Sequence, residues 1–214
     1  DYARLGSVRD QFTHVPTMAL TATADAQTRQ DVVKRLHLHT PRIVVAGFDR
    51  PNIEYKVSDK HNPIHQLEQV LARHEGESGI VYALSRKRVE EVARKLEKKG
   101  HSAAAYHAGL GAQLRRDVHE RFVRDEIDVV VATVAFGMGI DKPDIRFVVH
   151  YDIPKSIESY YQETGRAGRD GLPSEAHMLL GYQDVITARS LVERASDANQ
   201  KRIDLHKLNS MVGF

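Results

Sequence analysis

Gly79-Ile80-Val81-Tyr82-Ala83 and Asp128-Val129-Val130-Val131-Ala132 are continuous apolar runs, each followed by a loop rich in hydrogen-bond donors. A strand with one wet face alternates apolar and polar residues. A run without alternation suits the middle of a parallel sheet covered on both faces. Further strand patterns lie near 53–58, 102–106, 145–150 and 174–180, and helical patterns near 63–74, 86–98, 111–124 and 156–163. Strand–helix alternation at this spacing predicts an α/β domain with right-handed crossovers. In such a domain ligand groups sit at the carboxyl ends of the strands.

Working outward, Asn62-Pro63 marks a helix start and Gly100, after Lys95, Lys98 and Lys99, a helix end. Toward the N-terminus, Asp1 to Phe12 reads as a helix with Leu5, Val8 and Phe12 on one stripe. Thr17 to Ala22 reads as a short strand. Thr23 or Asp25 caps a helix over about 26–36, and Arg42 to Ala46 reads as a second strand. Two strands and two helices over 1–46 are too little for a separate core, so this stretch is expected to be the tail of a domain whose front lies elsewhere. The turn-rich 47–52 segment reads as a connector and 53–182 as the α/β domain. Residues 183–196 and 199–213 read as a helical extension, with Leu205, Leu208 and Val212 at core-like spacing.

The 214 residues are 41% hydrophobic and 28% charged, a globular balance. No run approaches the ~18 apolar residues of a membrane span. The absence of cysteine excludes disulfides, iron–sulfur clusters and thiolate zinc sites within these residues, and fits a cytosolic setting. A net charge of +2 means that any nucleic-acid site is a local patch. The twelve histidines are scattered, and no metal site is expected among them.

Three strand ends carry groups suited to phosphate and sugar. Ser85 and Arg86 stand at a helix start, where a hydroxyl, a guanidinium and helix N–H groups can bind phosphate; the same pair also suits a plain helix cap. Tyr106-His107-Ala108-Gly109-Leu110 ends the next strand. Thr133 opens a loop through Gly137, Gly139, Asp141 and Pro143, in which a hydroxyl, close backbone approach and a carboxylate are available to a nucleotide, although Gly-x-Gly taken alone reads better as a packing loop. Then comes Tyr160-Tyr161-Gln162-Glu163-Thr164-Gly165-Arg166-Ala167-Gly168-Arg169-Asp170-Gly171, with two arginines three residues apart in a glycine-punctuated loop. Guanidinium forks suit phosphate oxygens. Taken alone, the string fits a triphosphate grip and a carboxylate-paired surface loop equally well.

Gln162 to Arg169 resembles the last conserved motif of superfamily-two helicases, and the longer string through Gly171 resembles the RecQ family of DNA helicases closely. Thr21-Ala22-Thr23 resembles the motif that couples nucleotide and DNA sites in the first lobe, and Phe48-Asp49-Arg50-Pro51-Asn52 the inter-lobe connector. Ile80-Val81-Tyr82 with Ser85-Arg86, the Tyr106–Leu110 string and the Thr133–Pro143 loop resemble the second-lobe motifs in order. The resemblance covers nearly the whole chain. It implies a RecA-like, P-loop-NTPase-type parallel sheet flanked by helices, with a helical C-terminal extension that leads into a zinc-binding module.

The resemblance further implies roles. Ser85, Arg86, His107 and Thr133 would touch the backbone of single-stranded DNA. Gln162, Gly137, Gly139 and Asp141 would line the ATP cleft, although many relatives carry Asn at the Asp141 position. Arg166 and Arg169 would be catalytic, with Arg169 the first choice as arginine finger. ATP and Mg2+ would be held mainly by a first lobe in cis, and Zn2+ only downstream of Phe214. The implied whole is a 3′–5′ DNA helicase of recombination and repair, cytoplasmic and nucleoid-associated or nuclear, acting on single-stranded and junction DNA. A single-stranded-DNA-binding protein is a further implied partner.

The chain carries no Gly-x-x-x-x-Gly-Lys-Ser/Thr loop and no Asp-Glu pair placed to hold magnesium. The 214 residues alone are therefore expected to be inactive as an ATPase. Two other readings stay open: a superfamily-two motor acting on RNA, and a non-catalytic nucleic-acid or protein binding module. Retention of both Arg166 and Arg169 argues against the second. A dinucleotide-binding domain is disfavoured, because no Gly-x-Gly-x-x-Gly opens a helix directly after a strand.

Overall fold

The apolar runs form the inner strands of a parallel sheet. In the computed structural model, which describes residues 5–21, 24, 26–45, 49–137, 140–193 and 198–213, six strands are assigned. They are β1 (Ile53–Asp59), β2 (Gly79–Tyr82), β3 (Ala103–Tyr106), β4 (Val129–Ala132), β5 (Phe147–His150) and β6 (Ser174–Leu180). Their order is β1-β6-β5-β2-β4-β3, every pair parallel. β2, β4 and β5 are buried along their whole length, as unalternating sequences require. β1, at an edge, alternates instead.

Period-two side-chain alternation splits the core into two layers. Val81, Val129, Val131, Phe147 and Val149 point to one face. There they pack on Leu67, Val70 and Leu71 of α3 (Pro63–Arg73) and on Val89, Val92 and Leu96 of α4 (Arg86–Lys98). Ile80, Tyr82, Val130, Ala132 and Val148 point to the other face, toward Val118 and Phe122 of α5 (Ala112–Val123) and Phe136 of the loop after β4. α6 (Ile157–Thr164) starts on Ser156, whose hydroxyl accepts from the Ser159 N–H, and leads into the arginine loop. The helical extension forms as α7 (Tyr182–Glu193) and α8 (Ala198–Val212), which close a small core of Ile153, Met178, Ala188 and Leu208. Leu205 is half-buried, and the Val212 side chain lies outside the described residues.

Residues up to Asp49 and residues from Arg50 onward form two compact units. The first holds α1 (Leu5–Gln11) and α2 (Ala26–Arg35). They meet closely: a Cβ on Gly6 would stand 2.3 Å from the Arg35 carbonyl oxygen. The strands expected over 17–22 and 42–46 are not formed in the described parts, 17–21 and 42–45, where Met18 and Leu20 are 80% and 86% exposed. An apolar strand needs hydrogen-bonded neighbours and a covering layer on each face. This unit offers two short helices. The caps expected at Thr23 or Asp25, the Ala22-Thr23 half of the first-lobe motif and Gly47-Phe48 of the connector lie outside the described residues.

Candidate nucleotide and nucleic-acid site

Three loops leave the carboxyl ends of β2, β3 and β4, whereas the arginine loop joins the end of α6 to the amino end of β6 and is heavily fastened. Gly165 closes α6 with helical backbone, whereas Gly168 and Gly171 take φ of +54° and +83°, where side chains are strained. Gly168 also lacks space: a Cβ would lie 2.4 Å from Asn52 Nδ2 and 2.6 Å from Ser174 Oγ. Its N–H donates to the Ile145 carbonyl at 2.8 Å. Arg50 donates to the carbonyls of Gly165, Ala167 and Gly168, at 3.3, 2.9 and 2.9 Å. Asn52 Nδ2 donates to those of Gly168 and Leu172, at 2.8 and 2.9 Å. Arg146 adds an ion pair with Asp170 and a bond to the Pro173 carbonyl.

The two arginines of the loop differ in setting. Arg166 packs beneath Gly137 and donates to its carbonyl at 2.5 Å. A Cβ on Gly137 would stand 2.3 Å from the guanidinium, so any larger residue there displaces Arg166. Arg166 Nε is buried without a partner among the described residues. Below it Tyr82 donates its hydroxyl to the Phe136 carbonyl at 3.0 Å. Burial pushes the Tyr82 phenol well above its ordinary pKa, against the opposing charge of Arg166. Arg169 is 35% exposed and bonds the Ile140 carbonyl and the Asp141 carboxylate, each at 3.0 Å. Asp141 is 95% exposed. The structure thus joins Arg166 to Gly137 and Arg169 to Asp141. Gly139 lies outside the described residues, and Gln162 is exposed on α6.

Among the residues expected to meet DNA, Ser85 caps α4 by accepting from the Arg88 N–H at 3.2 Å. Arg86 passes close to Gly109, where a Cβ would stand 3.0 Å from its Nη1. Thr133 lines a shallow cleft with Leu84, Asp152, Lys155 and Glu163, over the ends of β2, β4 and β5. His107 is placed differently from the others: it is 3% exposed. Its Nδ1 accepts from the Gly109 N–H at 3.2 Å, so its Nε2 carries the proton toward Glu90 at 2.9 Å. Both ring nitrogens are engaged in shaping the loop.

Two anchors were not assigned from sequence. Glu163 of α6 is buried and lies 2.6 Å from Nε2 of His150, whose ring stacks on Tyr82. Lys60, after β1, reaches Asp152 at 2.9 Å and Asp184 at 3.0 Å. Asp152 also accepts from the Leu84 N–H, which ties the ends of β2 and β5 to α7. The only sequence signal for either was a charged residue at a strand or helix end with no visible partner. Among the described residues, no three His, Asp or Glu side chains cluster as a metal site.

The chain matches the family described as the helicase conserved C-terminal domain over residues 62–171. It is 48% identical over its full length to the ATP-dependent DNA helicase RecQ of Pasteurella multocida, covering 34% of that protein. It is 46% identical to the protein of the same name from Haemophilus influenzae, covering 35% of it. The chain thus spans about a third of the length of these curated relatives. A solved structure of S. cerevisiae Dbp5, bound to RNA and ADP BeF3, superposes with a TM-score of 0.66 at 20% identity. That match covers 81% of this chain and 47% of the other, and it shows the fold. The parallel six-stranded sheet is therefore a RecA-like helicase lobe, and the chain belongs to the helicase conserved C-terminal domain family, of the RecQ type.

Proposed function

We propose that residues 53–182 are the second motor lobe of an ATP-dependent DNA helicase that unwinds duplex DNA with 3′–5′ polarity in recombination and repair. In this reading residues 1–46 belong to the first lobe, 47–52 connect the two, and 183–214 lead toward a zinc-binding module. Arg169 is the finger that reaches the γ-phosphate of ATP. The observation that carries this is the contrast between the arginines: Arg166 is packed under Gly137, while Arg169 is held by one carbonyl and one fully wet carboxylate. An exposed pair of that kind is worth about 0–1 kcal/mol, so exchanging Asp141 for a phosphate costs little. A finger arginine stabilises transition-state charge and is worth about 10³–10⁵ in rate in GTPase systems.

Arg166 then sets the floor of the cleft, with Gln162 at its rim. Ser85, Arg86 and Thr133 offer a hydroxyl, a guanidinium and a hydroxyl to a nucleic-acid backbone, and His107 shapes the Gly109 turn beside Arg86. Magnesium and the main phosphate cradle belong, in this reading, to residues outside this chain. ATP turnover by the full-length protein, measured with single-stranded DNA and with RNA of matched sequence, tests the reading. The expected result is stimulation by DNA and weaker stimulation by RNA. Equal or stronger stimulation by RNA would support an RNA motor instead.

A further inference from the structure

We infer that Arg50 and Asn52 are positioning residues for the arginine loop, an inference that rests on the reading of Arg169 as the finger. Between them they make five hydrogen bonds to four carbonyls of a single loop, those of Gly165, Ala167, Gly168 and Leu172. Among the described residues Arg50 forms no ion pair, and its half-buried guanidinium is spent entirely on backbone oxygens. Side chain-to-backbone bonds of this kind fix where a chain runs; an arginine serving stability alone is as well used against a carboxylate.

The brace is itself rooted in the sheet. The Arg50 carbonyl accepts from the Ile53 N–H at 2.9 Å, and the Asn52 carbonyl accepts from the Ser174 N–H at 2.8 Å. Ile53 and Ser174 are paired in the first register position of β1 and β6. The loop therefore runs between two fixed points, the end of α6 and the start of β6, with Arg50 and Asn52 setting its course. Gly168 sits at the centre: it accepts from both braces, its N–H is held by Ile145, and it directly precedes Arg169. Because Asn52 lies against the α-carbon of Gly168, a displaced Asn52 frees the residue next to the finger. A misplacement of about 1 Å at a catalytic group can lower a rate by about 10²-fold.

The experiment compares Asn52→Asp, Asn52→Ala and Arg50→Lys in the full-length protein. Asn52→Asp is nearly isosteric, but it turns carboxylate oxygens toward two carbonyls. Arg50→Lys keeps the charge and loses the fork. Amide hydrogen exchange over 165–173 reads the brace directly. DNA-stimulated turnover, KM for ATP and DNA affinity read its consequence, and a denaturant curve reads global stability. For Asn52→Asp the expected result is loss of Gly168 amide protection. Turnover at saturating ATP should fall by about tenfold to a hundredfold, with KM and DNA affinity within about threefold of wild type. Asn52→Ala and Arg50→Lys should lie between it and wild type.

Unchanged Gly168 protection overturns the brace. A loosened loop with unchanged turnover overturns the positioning role, and so does a turnover loss matched by the fraction of protein unfolded. Arg169→Ala in the same assay separates the two readings. If it leaves turnover intact, the finger assignment fails, while hydrogen exchange still decides whether Arg50 and Asn52 hold the loop.

Discussion

Arg169 holds the carboxylate of Asp141 at 3.0 Å, and that carboxylate is almost wholly in water. The pair therefore parks the guanidinium without fixing it. Replacing Asp141 with Ala is expected to change unfolding free energy by less than about 0.5 kcal/mol in urea titrations, as for an ordinary surface site. A loss of more than about 2 kcal/mol would show that the pair is structural.

Arg166 is the opposite case. Gly137→Ala places a methyl group 2.3 Å from its guanidinium, which is half-buried and whose charge acts on the Tyr82 phenol. Overpacking of this kind is expected to destabilise by about 1–3 kcal/mol. Pairing Gly137→Ala with Arg166→Ala should recover part of that loss. Additive losses would mean that the clash is relieved elsewhere.

Lys60 sits between Asp152 and Asp184 with 11% of its side chain exposed, against 5% and 13% for its partners. Removing the ammonium leaves two enclosed carboxylates without their cation. Lys60→Ala is expected to cost about 3–5 kcal/mol by denaturant titration, with little relief from added salt. A loss below about 1 kcal/mol would show that water replaces the ammonium freely.

Glu175 lies buried among Lys56, Arg73, His74 and His177. Burial pushes its carboxyl up, but the bonds from His177, His74, Arg73 and Lys56 together outweigh burial and hold it well below the usual carboxylate range. Its stabilisation is thus present above the ordinary carboxylate pKa and lost as pH falls through the depressed one. For His74 the Glu175 bond raises the pKa, burial opposes it and Glu77 adds to the rise. Its share is present below about pH 6.5 and fades as pH rises through the raised value. The stability difference between wild type and Glu175→Gln should therefore peak between about pH 4.5 and 6.5, near 1.5–3 kcal/mol. A difference that stays flat from pH 3 to 8 would contradict this.

The fold was legible because its inner strands are locally unambiguous. Val129-Val130-Val131 cannot be a half-wet strand, and Asn62-Pro63 and Ser85 mark helix starts by their own chemistry. Thr17–Leu20 carries the same kind of pattern but forms no strand, because pattern records what a segment needs rather than whether neighbours supply it. The candidate site's donors can be read from sequence, and their fastenings cannot. Arg50 and Gly168 are 118 residues apart in sequence, and nothing local says that one holds the other. His107 illustrates the same limit: a histidine at a strand end invites assignment to a ligand, yet its two nitrogens are committed to Gly109 and Glu90.

The central claim is that Arg169, not Arg166, is the finger. DNA-stimulated ATP turnover of the full-length protein carrying Arg169→Ala, with DNA affinity measured in parallel, tests it most directly. Turnover should fall by about 10³-fold or more while DNA still binds. Unchanged turnover would contradict the claim, and collapse of both turnover and DNA binding would make Arg169 a scaffold residue.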